Sequence, residues 1–130
     1  MYVLDTSTLI YFFKGLGRVA ERLLNVPPSE VAVPTITVFE LEVGIAKSAM
    51  PKKRRIQLDD FLTAVSVLPR GLREAKTAAL IRADLEQAGT PIGPFDILIA
   101  GTVLAHQATL VTHNLKQFSK VTNLSTVDWY

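Results

Sequence analysis

The sequence predicts a single α/β sandwich domain, and three observations support this fold class. Short apolar segments alternate along the chain with longer segments of helical periodicity. Proline or glycine stands at most of the junctions between them. At 130 residues, 48% of them hydrophobic, the chain is large enough for one domain with a sizeable core. Such alternation is typical of a parallel sheet that helices cover on both faces.

The predicted strands are five short apolar segments. They span residues 2–4, 31–33, 66–68, 109–112 and 126–129. Pro34 and Pro69 end the second and third strands, because proline has no N–H to donate to a neighbouring strand. The chain contains no internal repeat, low-complexity segment or linker, so we predict one domain over residues 1–130.

The predicted helices fill the intervals between these strands. They span residues 9–24 with an interruption at 15–17, then 35–48, 51–65, 71–88 and 94–106. Pro94 suits the first position of the last helix, which is apolar nearly all round and should be buried. Gly89 suits the position just after the fourth helix. Thr37 and Glu40 have the spacing of a capping box for the second predicted helix, 35–48.

The composition excludes several classes of site. The chain has no cysteine, which excludes disulfides, thiolate zinc sites and Cys nucleophiles and agrees with a reducing cytoplasm. The N-terminus has no basic segment and carries Asp5 inside its apolar run, so no signal peptide is predicted. The longest apolar stretch, 95–111, is too short and too polar to span a membrane. The net charge of +2 permits an anionic partner without indicating one.

Three acidic residues occur at or near predicted helix starts. Asp5 follows the first strand, Glu40 follows the second, and Asp96 lies in the first turn of the buried helix. Each has a structural explanation, since an acid there satisfies free N–H groups and suits the helix dipole. Helices that follow parallel strands begin at the carboxyl edge of the sheet, where such folds bind ligands. Asp96 is the most informative, because an acid between Phe95 and Ile97 is costly without a partner.

Convergent carboxylates would indicate a particular chemistry. Several of them within a few Å repel one another and raise each other's pKa unless a cation holds them. Oxygen ligands without Cys or paired His favour Mg²⁺ or Mn²⁺ over zinc. Such ions serve in water attack on phosphodiesters. The residues alone therefore point to Mg²⁺-dependent phosphate chemistry.

Four segments together resemble the PIN domain family, and more closely its VapC-type ribonuclease toxins of type II toxin–antitoxin pairs. They are Leu4-Asp5-Thr6-Ser7, Glu40-Leu41-Glu42-Val43-Gly44, residues 93–100 and residues 110–118. The resemblance implies a three-layer α/β/α sandwich with a central parallel five-stranded sheet. It also implies a Mg²⁺- or Mn²⁺-dependent endoribonuclease that cuts structured RNA such as tRNA or rRNA in the cytoplasm.

The resemblance further implies roles for individual residues. Asp5, Glu40 and Asp96 match the catalytic, metal-binding acids of the family. Gly44 would be a point of close helix packing. The supporting residues would be Thr6, Ser7, Thr112 and Asn114. A basic set would hold the RNA backbone, or else form a solvated helix face: Lys52, Lys53, Arg54, Arg55 and Lys116.

The sequence departs from the family pattern at the fourth acid. Relatives usually carry Asp or Glu at the position of Asn114 or Gln117, and here both residues are amides. Weaker metal binding is therefore expected, particularly for a second ion. The alternative function is a catalytically weakened PIN-fold module that binds RNA or an antitoxin. Ser7 disfavours a third hypothesis, a phosphotransfer domain, because dehalogenase-like enzymes carry a second Asp there.

The resemblance implies a small cognate antitoxin as a protein partner, and a homodimer is also expected. An antitoxin segment would fill a groove and block the acids. The helices at 51–65 and 71–88 together would offer an apolar surface for it, or for a second copy of the chain. Two further polar residues are interpreted without a catalytic role. Glu42 is expected to be a solvated residue, and His113 a loop residue, with a contact to phosphate as its alternative.

Overall fold

The computed structural model describes all residues, 1–130, and contains one sheet of five parallel strands. The strands are β1 (Tyr2–Leu4), β2 (Val31–Pro34), β3 (Ser66–Leu68), β4 (Thr109–Val111) and β5 (Ser125–Val127). Their order across the sheet is β3-β2-β1-β4-β5, and every neighbouring pair is parallel. The predicted five-stranded parallel sheet is confirmed, with small differences at the strand ends.

Seven α-helices connect or follow these strands. They are α1 (Thr6–Lys14), α2 (Val19–Leu24), α3 (Thr35–Ala46), α4 (Pro51–Ala64), α5 (Leu72–Gln87), α6 (Pro94–Ala105) and α7 (Leu115–Phe118). The predicted helix 9–24 is in fact two, because Gly15 and Gly17 adopt φ values of 69° and 63° that end α1 and redirect the chain. The short α7 was not predicted, since four residues carry no readable period.

The start of α1 and the capping of α3 differ from the prediction. Helix α1 begins three residues early, because the Asp5 carboxylate caps it by accepting the Thr8 N–H at 2.8 Å. The prediction that Thr37 and Glu40 form a capping box is wrong. Helix α3 already begins at Thr35, directly after Pro34, so Thr37 lies inside its first turn and is fully buried. The Glu40 side chain therefore does not cap α3 and can contact α1 instead.

The helices form two layers on opposite faces of the sheet, as a three-layer sandwich requires. Successive β1 residues point to opposite faces: Val3 packs in the cluster formed with α5 and α6, and Leu4 in the cluster formed with α1 to α4. Since α4 and α5 contribute to different clusters, they do not form one joint surface. That sequence-based expectation for an antitoxin or homodimer surface is wrong. No helix has the length and apolar character needed to cross a bilayer.

Close helix packing occurs at a different glycine from the one expected. A Cβ at Gly44 would meet nothing within 4 Å, so the expected close contact there is wrong. A Cβ at Gly101 on α6 would lie 2.6 Å from the Ala78 Cβ and 2.8 Å from the Ala78 backbone on α5. The pair Ala78 and Gly101 therefore sets how closely α5 and α6 approach, which buries α6 as predicted.

Candidate active site

The carboxyl ends of β1, β4 and β5 place three side chains in a row. The strand register pairs Leu4 with Val111 and Val111 with Val127, so Asp5, Thr112 and Asp128 follow these positions on neighbouring strands. Backbone hydrogen bonds extend this alignment by one residue, from Asp5 N–H to Val111 O at 3.2 Å and from Thr112 N–H to Val127 O at 2.9 Å. The row forms the floor of the candidate site.

Asp5 is held rigidly in this row and is only 5% exposed. Burial raises its pKa from the ordinary value, and the charge of Asp128 adds to this. Hydrogen bonds from the Thr112 hydroxyl and from Thr8 act in the opposite direction but do not cancel the effect of burial. Asp5 is thus both a helix cap and a charge that is costly to bury. Its role as a helix cap is therefore compatible with its predicted role as a metal ligand.

Glu40 is positioned by a hydroxyl from another helix. The Thr6 hydroxyl on α1 donates a hydrogen bond to Glu40 Oε1 on α3 at 2.6 Å, and its oxygen lies 3.4 Å from that of Thr37. Thr6 was expected to support the neighbouring Asp5, but it instead orients the second acid. Ser7, the other predicted hydroxyl beside Asp5, is exposed and makes no side-chain hydrogen bond.

Asp96 lies in the first turn of α6 and is partly exposed. Its pKa is raised by burial, and next by the negative charges of Asp5 and Glu40. The charges of Asp5 and Glu40 therefore reach Asp96, although the three acids belong to different helices. Asp5 caps α1 and Asp96 lies in the first turn of α6, but Glu40 lies in the second turn of α3 and not at its start as expected. This electrostatic coupling is the observation that the sequence alone could not provide.

The last predicted motif contributes only in part. Thr112 is fully buried, its hydroxyl lowers the pKa of Asp5, and it accepts the Asn114 backbone N–H at 2.9 Å. The Asn114 side chain is exposed at the start of α7, and Gln117 accepts a hydrogen bond from Lys120 Nζ at 3.2 Å. The fourth carboxylate near the site is Asp128, which the sequence analysis missed. Its position just after a strand, like that of Asp5, was the available signal.

The basic residues do not form one free cluster. Arg55 donates to the two carboxylate oxygens of Glu42 through its two terminal guanidinium nitrogens, each at 2.6 Å. The expectation that these residues are simply solvated is therefore wrong. This pair raises the pKa of Arg55 and lowers the pKa of Glu42. The remaining cations are differently placed: Lys52, Lys53 and Lys116 are exposed, and Arg54 lines a cleft beside Glu40.

The donor set fits a hard divalent cation. No group of three or more His, Asp or Glu side chains is arranged so that it could hold a metal ion by itself. Mg²⁺ does not need such a group, because it usually keeps several waters and binds through one or two carboxylates plus substrate phosphates. The unfavourable effect of the Asp5 and Glu40 charges on Asp96 is what such a cation would relieve.

Known proteins resemble the chain over nearly its whole length. The PIN domain family matches residues 2–124. The tRNA(fMet)-specific endonuclease VapC of Shigella flexneri is 31% identical over 98% of this chain and 97% of its own length. Ribonuclease VapC2 of Haemophilus influenzae strain Rd is 33% identical with the same coverage.

Solved structures agree with these sequence matches. DNA-bound VapBC from Salmonella typhimurium superposes with a TM-score of 0.93 at 32% identity, covering 99% of this chain and 98% of the other. VapBC2 from Rickettsia felis, bound to a DNA fragment from its promoter, gives 0.92 at 30% identity with the same coverage. Together with the acids at the carboxyl edge of the sheet, these matches establish that the chain is a PIN domain and belongs to the VapC family.

Proposed function

We propose that this chain is a metal-dependent endoribonuclease and the toxin of a toxin–antitoxin pair. The observation that carries the proposal is the convergence of Asp5 and Glu40 on Asp96 at one edge of the sheet, where their charges act on Asp96. The VapC relatives are named as ribonucleases, one of them as specific for tRNA(fMet), which supports RNA as the substrate. We infer structured cytoplasmic RNA of the tRNA or rRNA class.

Two of the three acids have a distinct support in this mechanism. Asp5 is held by its cap to Thr8 and by the Thr112 hydroxyl, and Thr6 holds Glu40, so neither needs to reorganise when RNA binds. These two acids and Asp96 would hold Mg²⁺ or Mn²⁺. The cation would supply Lewis-acid activation of the scissile phosphate and a nucleophilic water.

The free cations supply the attraction for the RNA backbone. Lys52 and Lys53 at the start of α4, Arg54 in the cleft and Lys116 on α7 would contact phosphates in a salt-sensitive way. Arg55 would contribute less, because Glu42 already neutralises it. Its contact with Glu42 instead joins α3 to α4.

The test is cleavage of bulk tRNA by the purified protein. Cleavage should require Mg²⁺ or Mn²⁺, stop in EDTA, and fall about a hundredfold or more in Glu40→Gln, because a neutral amide removes a charge that acts on the transition state. Glu30→Gln, at an exposed acid outside the site, is the matched control and should cleave normally. Equal cleavage in EDTA, or full activity of Glu40→Gln, would contradict the mechanism.

A second candidate function is supported by the two amides. Neither Asn114 nor Gln117 brings a charge to the site, and Gln117 is engaged with Lys120. A module that binds RNA or an antitoxin without cleaving RNA would show binding to the same tRNA and no products with either metal. Restoring an acid through Gln117→Asp should then raise cleavage.

The proposed antitoxin would dock beside Glu40. A cleft of about 330 Å³ between α1, α3 and α4 has an apolar wall and basic residues at its rim: Ile10, Phe13, Leu41, Ile45 and Leu58, with Lys14 and Arg54. Gly44 leaves this cleft open, since a side chain there would meet only empty space. The related structures named VapBC support such a partner. An acidic and apolar antitoxin segment would complement this lining.

Filling the cleft should separate binding of the antitoxin from catalysis. We expect Gly44→Leu to cleave RNA but to weaken capture of the proposed antitoxin by about tenfold, as its side chain occupies the docking volume. Gly44→Ala is the smaller control. Undiminished capture by Gly44→Leu, measured by co-purification and titration, would place the antitoxin elsewhere.

We also propose a homodimer. Leu72 and Leu80 on α5 are 72% and 69% exposed, and they give this helix an apolar outer face for a second copy. The mass measured by light scattering in solution tests this, with Leu80→Lys expected to shift the protein to monomer.

A further inference from the structure

His113 and Asp128 form an ordered pair beside the candidate acids. His113 Nδ1 lies 2.9 Å from Asp128 Oδ2, and Asp128 Oδ1 accepts the Tyr130 backbone N–H, also at 2.9 Å. Burial alone would raise the pKa of Asp128, but the Tyr130 N–H and the His113 ring outweigh it and hold the pKa below its ordinary value. Asp128 is therefore an ionised acceptor that uses both of its oxygens.

This contact selects one form of the imidazole ring. A carboxylate can only accept a hydrogen bond, so Nδ1 of His113 carries the proton. In the uncharged ring, Nε2 is then left with a lone pair. That nitrogen makes no hydrogen bond within the protein, and the side chain is 46% exposed. The pair thus presents a hydrogen-bond acceptor to solvent in a defined orientation.

Aromatic contacts hold the ring plane as well. Tyr130 stacks on the His113 ring with centroids 4.3 Å apart and planes at 23°, and Tyr11 contacts the ring edge-on at 5.9 Å. Tyr11 and Tyr130 also meet each other edge-on at 4.9 Å. An exposed loop histidine normally samples several rotamers. Here one hydrogen bond and two rings restrict it.

The pair adjoins the acids through Thr112. His113 directly follows Thr112, whose hydroxyl lowers the pKa of Asp5, and the charge of Asp128 raises that pKa. The strand register explains this proximity, because Asp5, Thr112 and Asp128 follow the paired ends of β1, β4 and β5. His113 therefore lies just beyond the end of β4 that adjoins Asp5, at the same edge of the sheet as the acids.

We propose that His113 accepts a hydrogen bond from a ribose 2′-hydroxyl through Nε2, and so determines the preference for RNA over DNA. Asp128 is the positioning residue that keeps the lone pair on Nε2. The 2′-hydroxyl is the group that distinguishes RNA from DNA at a given site, and a phosphate offers no hydrogen to an acceptor. This inference rests on the proposed function, because it assumes that RNA approaches the acids.

The test compares two fluorescein-labelled hairpins, one of RNA and one with 2′-deoxyriboses throughout its loop. Binding is measured by anisotropy at mildly alkaline pH, with Ca²⁺ in place of Mg²⁺ so that the probe stays intact. The wild type should bind the RNA hairpin about tenfold more tightly, the size of one well-placed hydrogen bond. His113→Phe keeps a ring to stack on Tyr130 and should bind both hairpins equally. Retention of the preference in His113→Phe would overturn the proposal.

The positioning role of Asp128 has a spectroscopic test. The chain has only two histidines, so ¹⁵N resonances of the His113 ring can be assigned through His113→Phe. They should report Nδ1–H in the wild type and a mixture of tautomers in Asp128→Asn, which should also lose part of the preference for RNA. Asp60→Asn, at an exposed acid on α4, is the matched control. Unchanged resonances in Asp128→Asn would exclude the role of Asp128.

Failure of this inference is distinguishable from failure of the proposed function. Cleavage of tRNA in Mg²⁺ together with a preference that survives His113→Phe overturns only the role of His113. A preference for RNA that depends on His113, without cleavage under any metal, supports that role and contradicts the proposed nuclease. A wild type that binds both hairpins equally overturns the role of His113 regardless of cleavage.

Discussion

Asp96→Asn is expected to abolish RNA cleavage and, at the same time, to stabilise the metal-free fold. The pKa of Asp96 is raised by burial and by the charges of Asp5 and Glu40, so its ionised form opposes folding when no cation is present. Asparagine has nearly the same shape without the charge. Cleavage should fall about a thousandfold, because a bound cation contributes several kcal/mol to phosphate chemistry.

The stability change has a definite dependence on pH. Because the folded pKa of Asp96 lies above its ordinary value of 3.8, folding binds a proton over the interval between the two values. Its contribution to stability is therefore fully present below the unfolded pKa and is lost as pH rises through the folded pKa. At neutral pH in EDTA, we expect Asp96→Asn to be more stable by about 1 kcal/mol, a modest figure because solvent screens this half-exposed group.

Thermal melts with EDTA and with Mg²⁺ measure both effects in the same samples. Mg²⁺ should stabilise the wild type and have little effect on Asp96→Asn, since binding to the folded state raises stability by mass action. Asp84→Asn on α5 is an exposed acid without a salt-bridge partner and is the control. A fall in the melting temperature of Asp96→Asn in EDTA would show that the three acids do not repel one another.

Gly101→Ala is expected to cause the largest loss of stability among single-carbon additions. The new Cβ would lie 2.6 Å from the Ala78 Cβ and 2.8 Å from two Ala78 backbone atoms, so α5 and α6 would have to separate. Overpacking against backbone costs about 3 kcal/mol, and the better helix propensity of alanine offsets about 1 kcal/mol of it. Urea denaturation of the metal-free protein gives the free energy of unfolding directly.

Gly44→Ala is the matched control for this substitution. It has the same chemistry and the same gain in helix propensity, but its Cβ meets nothing within 4 Å. We expect it to be as stable as the wild type or slightly more stable, by less than about 1 kcal/mol. Equal stability of the two alanine variants would mean that the α5–α6 contact can relax without cost.

Much of the fold could be predicted because its signals are local. The alternation of apolar strands and helices, Pro94 at the start of α6 and Gly89 after α5 all act over a few residues. Parallel strands share a carboxyl edge, so the placement of Asp5 and Glu40 at that edge followed from topology. The failures lay where a longer-range contact took precedence. Thr37 looked like a helix cap but is buried inside the first turn of α3.

The fold class, the family and the identity of the candidate acids could be read from residue types at short spacings. Which groups meet in the folded chain could not be read in this way. Thr6 adjoins Asp5 in the chain yet bonds to Glu40, and Arg55 is bound by Glu42 thirteen residues away. Asp128 reaches the site because β5 lies beside β4. Pairings of this kind follow from strand order and helix approach, which depend on packing across the whole core and on no spacing along the chain.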